Sequence, residues 1–206
     1  MNLIRNTSSA PPYILLASAS PRRRELLTQI GVAFYTLPVE ADETPKLGES
    51  AEQYVHRVAA EKSLLGQMSY AETLPVLGAD TEVVLDGEIF GKPDDFDHAR
   101  DMLRRLSGRE HTVLSAVSLR FGDRHWQALS ISKVSFRPIT ELEIDAYWAS
   151  GEARGKAGSY AIQGLGAVFV ARLEGSFSGV MGLPLFETAE LLREVGIQIP
   201  VSPKLV

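Results

Sequence analysis

Two long β-rich stretches, His111–Phe121 (HTVLSAVSLRF) and Trp126–Phe136 (WQALSISKVSF), lie on either side of Gly122-Asp123. Such runs around a short Gly-containing turn are typical of a β-hairpin, which requires antiparallel pairing at that point of its sheet. Elsewhere the chain mixes short apolar runs with helical patterns. The sequence therefore predicts a single α/β domain around a mixed sheet.

Local patterns place the other elements and the ends of the domain. Strands are predicted at Tyr13–Ala17, Ala33–Leu37, Val76–Leu85 and Ala167–Leu173. Helices are predicted at Pro21–Ile30, Ser50–Gln67, Asp95–Leu106, Glu141–Ser150 and Pro184–Val195. Pro38–Glu49 and Gly151–Gly166 are predicted as loops, and Asp86-Gly87 as a tight turn. We expect a loose polar tail over residues 1–12, one domain over 13–197 and a second tail over 198–206.

Composition excludes several classes of protein. The chain has 206 residues and a net charge of −5, so it lacks an overall basic field for nucleic acid. It has no cysteine, which excludes disulfides, thiolate nucleophiles and Cys-ligated zinc. We find no apolar run long enough to span a bilayer, and the first residues lack the apolar segment of a signal peptide. A cytoplasmic protein without membrane partners is the expectation.

Three arginines occupy the start of the first predicted helix, in the stretch LASASPRRREL. Ser20 is a suitable N-cap and Pro21 a suitable first helical residue, which places Arg22, Arg23 and Arg24 in the first turn. That end of a helix carries partial positive charge and favours anions. A bound phosphate would resolve the conflict, and the alternative is that the side chains extend into solvent.

Asp80 interrupts an apolar strand, in VLGADTEVVLDG. A carboxylate there is costly unless it is paired, protonated or bound to a cation. Gly78 and Ala79 before it are small and leave room for a close approach. Asp80 is therefore a candidate general base, metal ligand or both, and a hydrogen bond to a neighbouring loop is the alternative.

Four other residues carry chemistry that their surroundings leave open. Lys92, in DGEIFGKP, could reach a phosphate, although Pro93 stands where a Walker A loop needs Ser or Thr. Lys62 lies late in a helix, where the dipole favours a cation. Glu43, in an acidic loop, could ligate a divalent ion, and Gln163, in a Gly-flanked stretch, could contact a base edge. Ordinary surface or turn roles fit each of them as well.

Several known constellations are absent from the sequence. The four histidines show no metal-ligand spacing, and there is no G-x-G-x-x-G loop. The segment GSFSG has Phe where a G-x-S-x-G elbow needs its nucleophile. The residues by themselves thus predict a small α/β protein that binds a phosphate-rich ligand, with carboxylates that could hold magnesium.

Five segments in order resemble the Maf family of nucleoside triphosphate pyrophosphatases: LASASPRR, ADET, AAEK, GADT…DGEIFGKP and GKAGSYAIQGLG. The resemblance runs from about Tyr13 to Ile197. It implies a mixed, elongated sheet with flanking helices and a central cleft, related to the inosine triphosphate pyrophosphatases. It also implies cleavage of a nucleoside triphosphate to the monophosphate and pyrophosphate with Mg²⁺ or Mn²⁺, and a homodimer as one oligomeric option.

The resemblance also implies a role for each candidate residue. Asp80 matches the proton acceptor that activates the attacking water, and Asp80 and Glu43 are the expected metal ligands. The expected phosphate-binding residues are Ser18, Ser20, Arg23, Lys62 and Lys92. Arg22, Thr81 and Gln163 resemble the subfamily that acts on dTTP and UTP, rather than its sister that acts on 7-methyl-GTP. The expected function is hydrolysis of dTTP, UTP and related modified nucleotides, a house-cleaning role.

Two other functions compete with this one. The family's name comes from an association with septum formation, so a nucleotide-binding regulator of cell division without turnover is one alternative. Nucleic-acid binding through the arginine triplet is the other, and the net charge of −5 and the lack of a second basic patch argue against it.

Overall fold

The hairpin predicted around Gly122-Asp123 forms the centre of the antiparallel part of the sheet. A computed structural model describes residues 4–5 (backbone only), 13–70 and 74–199. Its strands are β1 (Ile4–Arg5), β2 (Ile14–Leu16), β3 (Phe34–Thr36), β4 (Val76–Leu85), β5 (Glu88–Phe90), β6 (Glu110–Phe121), β7 (Arg124–Phe136) and β8 (Val170–Glu174). Its α-helices are α1 (Pro21–Gln29), α2 (Ala51–Ser69), α3 (Phe96–Leu106), α4 (Glu141–Ala149), α5 (Phe177–Met181) and α6 (Leu185–Glu194).

All these strands belong to one mixed sheet, as the sequence predicts. The strand order is β1-β3-β2-β4-β6-β7-β8, and β5 pairs with β4. β2 runs parallel to both β3 and β4, whereas β4, β6, β7 and β8 pair antiparallel in succession. The fold is therefore a single α/β domain with helices that flank a mixed sheet. Within residues 13–70 and 74–199 no helix is long and apolar enough to cross a membrane.

The central strand β4 leaves a gap in the sheet on one side. β2 pairs with β4 only as far as Leu77, and β5 begins to pair with it at Val83. Between these points one edge of β4 pairs with no strand of the described chain. The gap lies just beyond the carboxyl end of β2, the place where open α/β sheets bind ligands.

Helix α2 lies very close to β4. A Cβ atom on Gly78 would stand 2.5 Å from both the Ala59 carbonyl oxygen and the Ser63 amide nitrogen. Only a glycine in β4 therefore lets the two backbones approach this closely. The close approach also brings Lys62 of α2, which lies between Ala59 and Ser63, next to β4.

The predicted elements agree with the structure except for the shortest ones. The predicted helices and all but one of the strands match within two residues at each end. The last strand begins at Val170 instead of Ala167, because a 3₁₀ turn occupies Leu165–Phe169. Helix α5 and strand β5 were not predicted, because elements of five residues or fewer depend on tertiary contacts more than on their own pattern.

The two ends also differ from the predicted tails. Ile4–Arg5 pair antiparallel with β3, so part of the stretch predicted as a polar tail is an edge strand instead. The rest of residues 1–12 lies outside the described residues. At the other end Ile199 packs against the core, and 200–206 lie outside the described residues.

We expect Gly78→Ala to lower the free energy of unfolding by about 1–3 kcal/mol, because the added methyl must push α2 away from β4. Gly91→Ala is the matched control, since a Cβ there meets nothing within 4 Å. Urea unfolding of the two variants beside the wild type is the measurement. Equal stability of the two variants would contradict the close approach.

Candidate active site

The gap beside β4 opens into a cavity of about 510 Å³. It contains all ten residues that the sequence singles out: Ser18, Ser20, Arg22, Arg23, Glu43, Lys62, Asp80, Thr81, Lys92 and Gln163. They come from the start of α1, the loop after β3, α2, β4, the segment after β5 and the loop after α4. The structure thus brings the candidates into one place, while the roles of the individual residues stay predictions.

The first-turn arginines of α1 face the end of another helix. Arg22 Nε donates to the Met181 carbonyl at 3.3 Å, and Arg23 Nε donates to the Gly182 carbonyl at 2.8 Å. These carbonyls close α5, and the carboxyl end of a helix carries partial negative charge. Backbone carbonyls of the protein therefore compensate part of the positive charge of these arginines. The sequence suggested only a bound anion or solvent for this.

Ser18 and Ser20 shape the loop in front of α1. The Ser18 hydroxyl accepts from the Ser20 amide at 3.1 Å and from Arg23 Nη1 at 3.2 Å. Ser20 occupies the N-cap position, but its side chain makes no capping hydrogen bond. The hydroxyl predicted to cap the helix thus lines the cavity without that bond.

Four charged side chains of the cavity form a connected cluster. Lys62 Nζ donates to Glu43 Oε1 at 2.7 Å and to Asp80 Oδ1 at 2.8 Å. Lys92 Nζ donates to Glu43 Oε2 at 2.7 Å. Burial by itself raises the pKa of Glu43, but the hydrogen bonds from the two lysines outweigh it and lower that pKa to about 2. Both oxygens of Glu43 are therefore engaged by cations.

Glu82 is a third acidic residue of the cavity that sequence reasoning missed. It lies two residues after Asp80, and both side chains are buried, at 8% and 4% exposure. Asp80 Oδ2 and Glu82 Oε2 are buried without a hydrogen-bond partner. Burial, and then the charges of Asp80 and Glu43, raise the pKa of Glu82 well above its ordinary value. Side chains two residues apart in a strand lie on the same face, so the position of Glu82 relative to Asp80 could have identified it from the sequence.

Arg154 and Lys156 also line the cavity and were not predicted. Their segment, GEARGKA, lies in the stretch predicted as a loop. Lys156 Nζ donates to the Arg154 carbonyl at 3.4 Å. Burial and the neighbouring charge of Arg22 lower the pKa of Lys156. The cavity thus has six basic and three acidic side chains, in a chain whose net charge is −5.

Gln163 lies on a loop whose backbone is hydrogen-bonded to Glu152. Glu152 accepts hydrogen bonds from the Leu165 amide at 2.8 Å and from the Gly166 amide at 2.9 Å. A Cβ on Gly164 would stand 2.0 Å from Glu152 Oε2, so the anchor requires glycine there. The exposed Gln163 side chain is held at the cavity by this backbone arrangement, whereas Thr81 is held by a hydrogen bond of 2.7 Å to Ser115.

Tyr160 is the aromatic residue of the cavity wall, and it packs in a cluster of rings behind that wall. Its hydroxyl shares a hydrogen bond of 2.9 Å with Nε2 of His111. Phe136 meets both rings edge-on, with centroids 4.9 Å from His111 and 4.8 Å from Tyr160. His111 is 2% exposed, and this burial lowers its pKa to about 4. The imidazole behind the wall is therefore neutral at neutral pH.

The residues present fit an oxygen-seeking divalent cation. Two buried carboxylate oxygens, on Asp80 and Glu82, lack donors, and carboxylates are the ligands that Mg²⁺ and Mn²⁺ prefer. In the part of the chain that the structure describes, no group of three His, Asp or Glu side chains is arranged to hold a metal. A cation here would therefore need further ligands from a substrate or water.

Comparison with known proteins identifies the family. The model of the family described as Maf-like protein matches residues 13–195. The chain belongs to the Maf family. A dTTP/UTP pyrophosphatase of Methylococcus capsulatus is 65% identical over 184 residues, which cover 89% of this chain and 91% of that protein. A dTTP/UTP pyrophosphatase of Bordetella avium is 52% identical and covers 92% and 98% of the two chains. The resemblance drawn from the five segments is confirmed.

Solved structures are more distant from this Maf-family chain. A dITP/XTP pyrophosphatase of Mycobacterium abscessus matches with a TM-score of 0.42 at 17% identity, over 88% of this chain and 94% of that one. The Ham1 protein of Staphylococcus aureus matches with a TM-score of 0.39 at 15% identity, over 76% and 79%. The description of the fold therefore rests on the strand order itself.

We expect acid to destabilise the wild type more than His111→Gln. The unfolded state binds a proton to His111 near pH 6.5, whereas the folded state binds it only near pH 4. Stability from the neutral imidazole is present above pH 6.5 and is lost as the pH falls towards 4, by about 3 kcal/mol in all. Chemical unfolding of both proteins at several pH values measures this loss of stability. If the free energies of unfolding of the two proteins change in parallel with pH, the prediction is refuted.

Proposed function

We propose that the protein is a nucleoside triphosphate pyrophosphatase that hydrolyses dTTP and UTP to the monophosphate and pyrophosphate. The observation that carries the proposal is the basic cavity of an acidic protein, with a buried carboxylate among its cations. A cavity with an excess of basic side chains within low-dielectric walls concentrates an anionic ligand. Its volume, about 510 Å³, is in the ordinary range for sites that bind small molecules.

The phosphate chain binds among the basic side chains. Arg23 presents a guanidinium that is fixed at Nε by the Gly182 carbonyl and at Nη1 by Ser18. A guanidinium remains protonated despite burial, and it binds phosphate oxygens in a fixed geometry. Lys62 and Lys92 add two ammonium groups to the same cavity, so several cations can neutralise negative charge on the phosphates.

Asp80 acts as the general base. Its Oδ1 is held by Lys62, which leaves the buried Oδ2 free to accept a proton from water. A carboxylate in this position takes the proton of a water that attacks the α-phosphorus in line with the departing pyrophosphate. The salt bridge therefore orients the base, and the two lone pairs of the unpartnered Oδ2 leave room for both the attacking water and a bound cation.

A divalent cation, Mg²⁺ or Mn²⁺, is part of the proposal. Such an ion would neutralise charge on the phosphate oxygens and support the leaving group. Asp80 and at least one other carboxylate of the cavity would hold it. Its binding is consistent with the surplus of acidic oxygens that have no donor.

The base is recognised by three residues that line the cavity, Arg22, Thr81 and Gln163. Gln163 offers both a donor and an acceptor on its anchored loop. The names of the curated relatives support dTTP and UTP as substrates. We further propose that the protein acts on free nucleotides in the cytoplasm, without nucleic-acid or membrane partners, and that it forms a homodimer.

We expect Asp80→Asn to lower kcat for pyrophosphate release by about 10²- to 10⁴-fold, because the amide cannot accept the proton of water. The measurement uses dTTP, UTP, CTP, GTP and 7-methyl-GTP with Mg²⁺ or Mn²⁺. Asp101→Asn, on the exposed face of α3, is the matched control and keeps full activity.

The panel separates the competing functions. Faster pyrophosphate release from dTTP and UTP than from the other nucleotides supports these two substrates. A preference for 7-methyl-GTP would contradict them. Nucleotide binding by the wild type without any pyrophosphate release would contradict the enzyme and favour the regulatory alternative.

We expect Gln163→Leu to lower kcat/KM for dTTP and UTP by about tenfold or more, because the polar edge of the base would lose its partner. Gln29→Leu, on the exposed side of α1, is the control for the same change of residue type. Unchanged kcat/KM in Gln163→Leu would show that this side chain does not contact the base.

A further inference from the structure

We propose that Glu82, and not Glu43, is the carboxylate that holds the divalent cation together with Asp80. The inference deepens the proposed function and rests on it only for the identity of the substrate. The sequence predicted Glu43 and Asp80 as the pair. The geometry of β4 points to a different second ligand.

Asp80 and Glu82 project from the same face of one strand. Residues two apart in a strand lie roughly 6.6 Å apart along it, so their carboxylates can converge on one ion. Both side chains line the cavity, and both are more than nine-tenths buried. Asp80 Oδ2 and Glu82 Oε2 each lack a hydrogen-bond partner. Two adjacent, buried, donor-free carboxylate oxygens are what an oxygen-seeking cation would fill.

Glu43 is in a different situation. Its Oε1 is 2.7 Å from Lys62 Nζ, and its Oε2 is 2.7 Å from Lys92 Nζ. A cation would have to displace an ammonium group to reach either oxygen, and it would then lie beside a positive charge. Glu43 is therefore better suited to position the two lysines than to ligate the ion.

A pair of carboxylates is enough for the ion in question. Mg²⁺ at phosphate-processing sites is usually held by one or two carboxylates, with water and substrate phosphates as the other ligands. This agrees with the absence of a three-acid group among residues 13–70 and 74–199. The pair on β4 would place the ion at the gap in the sheet, where the phosphate chain enters.

The test is Mn²⁺ binding to the full-length protein, measured by electron paramagnetic resonance as the loss of the free-ion signal. We expect Glu82→Gln and Asp80→Asn to weaken Mn²⁺ binding by about tenfold or more, since even the loss of an outer partner of a metal ligand costs about that much. Glu43→Gln should cause a smaller loss than Glu82→Gln. Glu82→Asp, which keeps the carboxylate, should recover part of the affinity.

Two controls make the result decisive. Glu61→Gln, on α2 and outside the cavity, should bind Mn²⁺ like the wild type. Glu82→Gln should unfold at no lower temperature than the wild type in the absence of metal, because it removes a buried acid without a partner. Any of three results would overturn the inference. Glu82→Gln could bind Mn²⁺ as tightly as the wild type, Glu43→Gln could lose more affinity than Glu82→Gln, or the wild type could bind no Mn²⁺.

Pyrophosphate release from dTTP at increasing Mg²⁺ separates this inference from the proposed function. We expect Glu82→Gln to need about tenfold more Mg²⁺ for half-maximal activity, while Asp80→Asn keeps its lowered kcat at every Mg²⁺ concentration. Loss of Mn²⁺ binding in Glu82→Gln without any turnover by the wild type would refute the enzyme and leave the cation site standing.

Discussion

The buried ammonium group of Lys62 is the interaction on which the rest of the cavity depends. The side chain is 10% exposed and touches two carboxylates that come from different parts of the chain, Glu43 and Asp80. A buried cation is stable only while it is paired, and removal of one partner leaves an uncompensated charge. Lys62 reaches this place because Gly78 lets α2 lie against β4. A packing contact between two backbones thus fixes the electrostatics of the site.

Backbone groups compensate two other basic side chains of the cavity. Arg22 and Arg23 stand at the positive end of α1, where cations are disfavoured, and the carbonyls of Met181 and Gly182 receive their Nε–H groups. Backbone acceptors hold the guanidiniums without neutralising them. The remaining N–H groups and the full positive charge stay available to a phosphate. A carboxylate partner would have stabilised the helix better and bound the ligand worse.

The sequence predicts most of this site, and the misses have physical causes. Asp80 in an apolar strand and three arginines at a helix start are local conflicts, and local conflicts are visible without a structure. Glu82 stands in the same strand and could have been found from its period of two. The role of Met181 and Gly182 could not have been found from the sequence, because every residue has a backbone carbonyl. Helix α5, which presents these carbonyls, is too short to be predicted from its own pattern.

The unpartnered oxygens of Asp80 and Glu82 lie on the part of β4 where the sheet has its gap. A buried acceptor without a donor costs about 1–3 kcal/mol, and a chain selected for stability alone would fill these positions with apolar residues. Apolar residues already fill β4 on both sides, at Leu77, Ala79, Val83 and Leu85. The acids occur only where β2 has ended and β5 has not yet begun. The strand thus carries its destabilising residues where a ligand can reach them. A cation and a phosphate chain bound there would pair with the charges that lack a partner in the free protein.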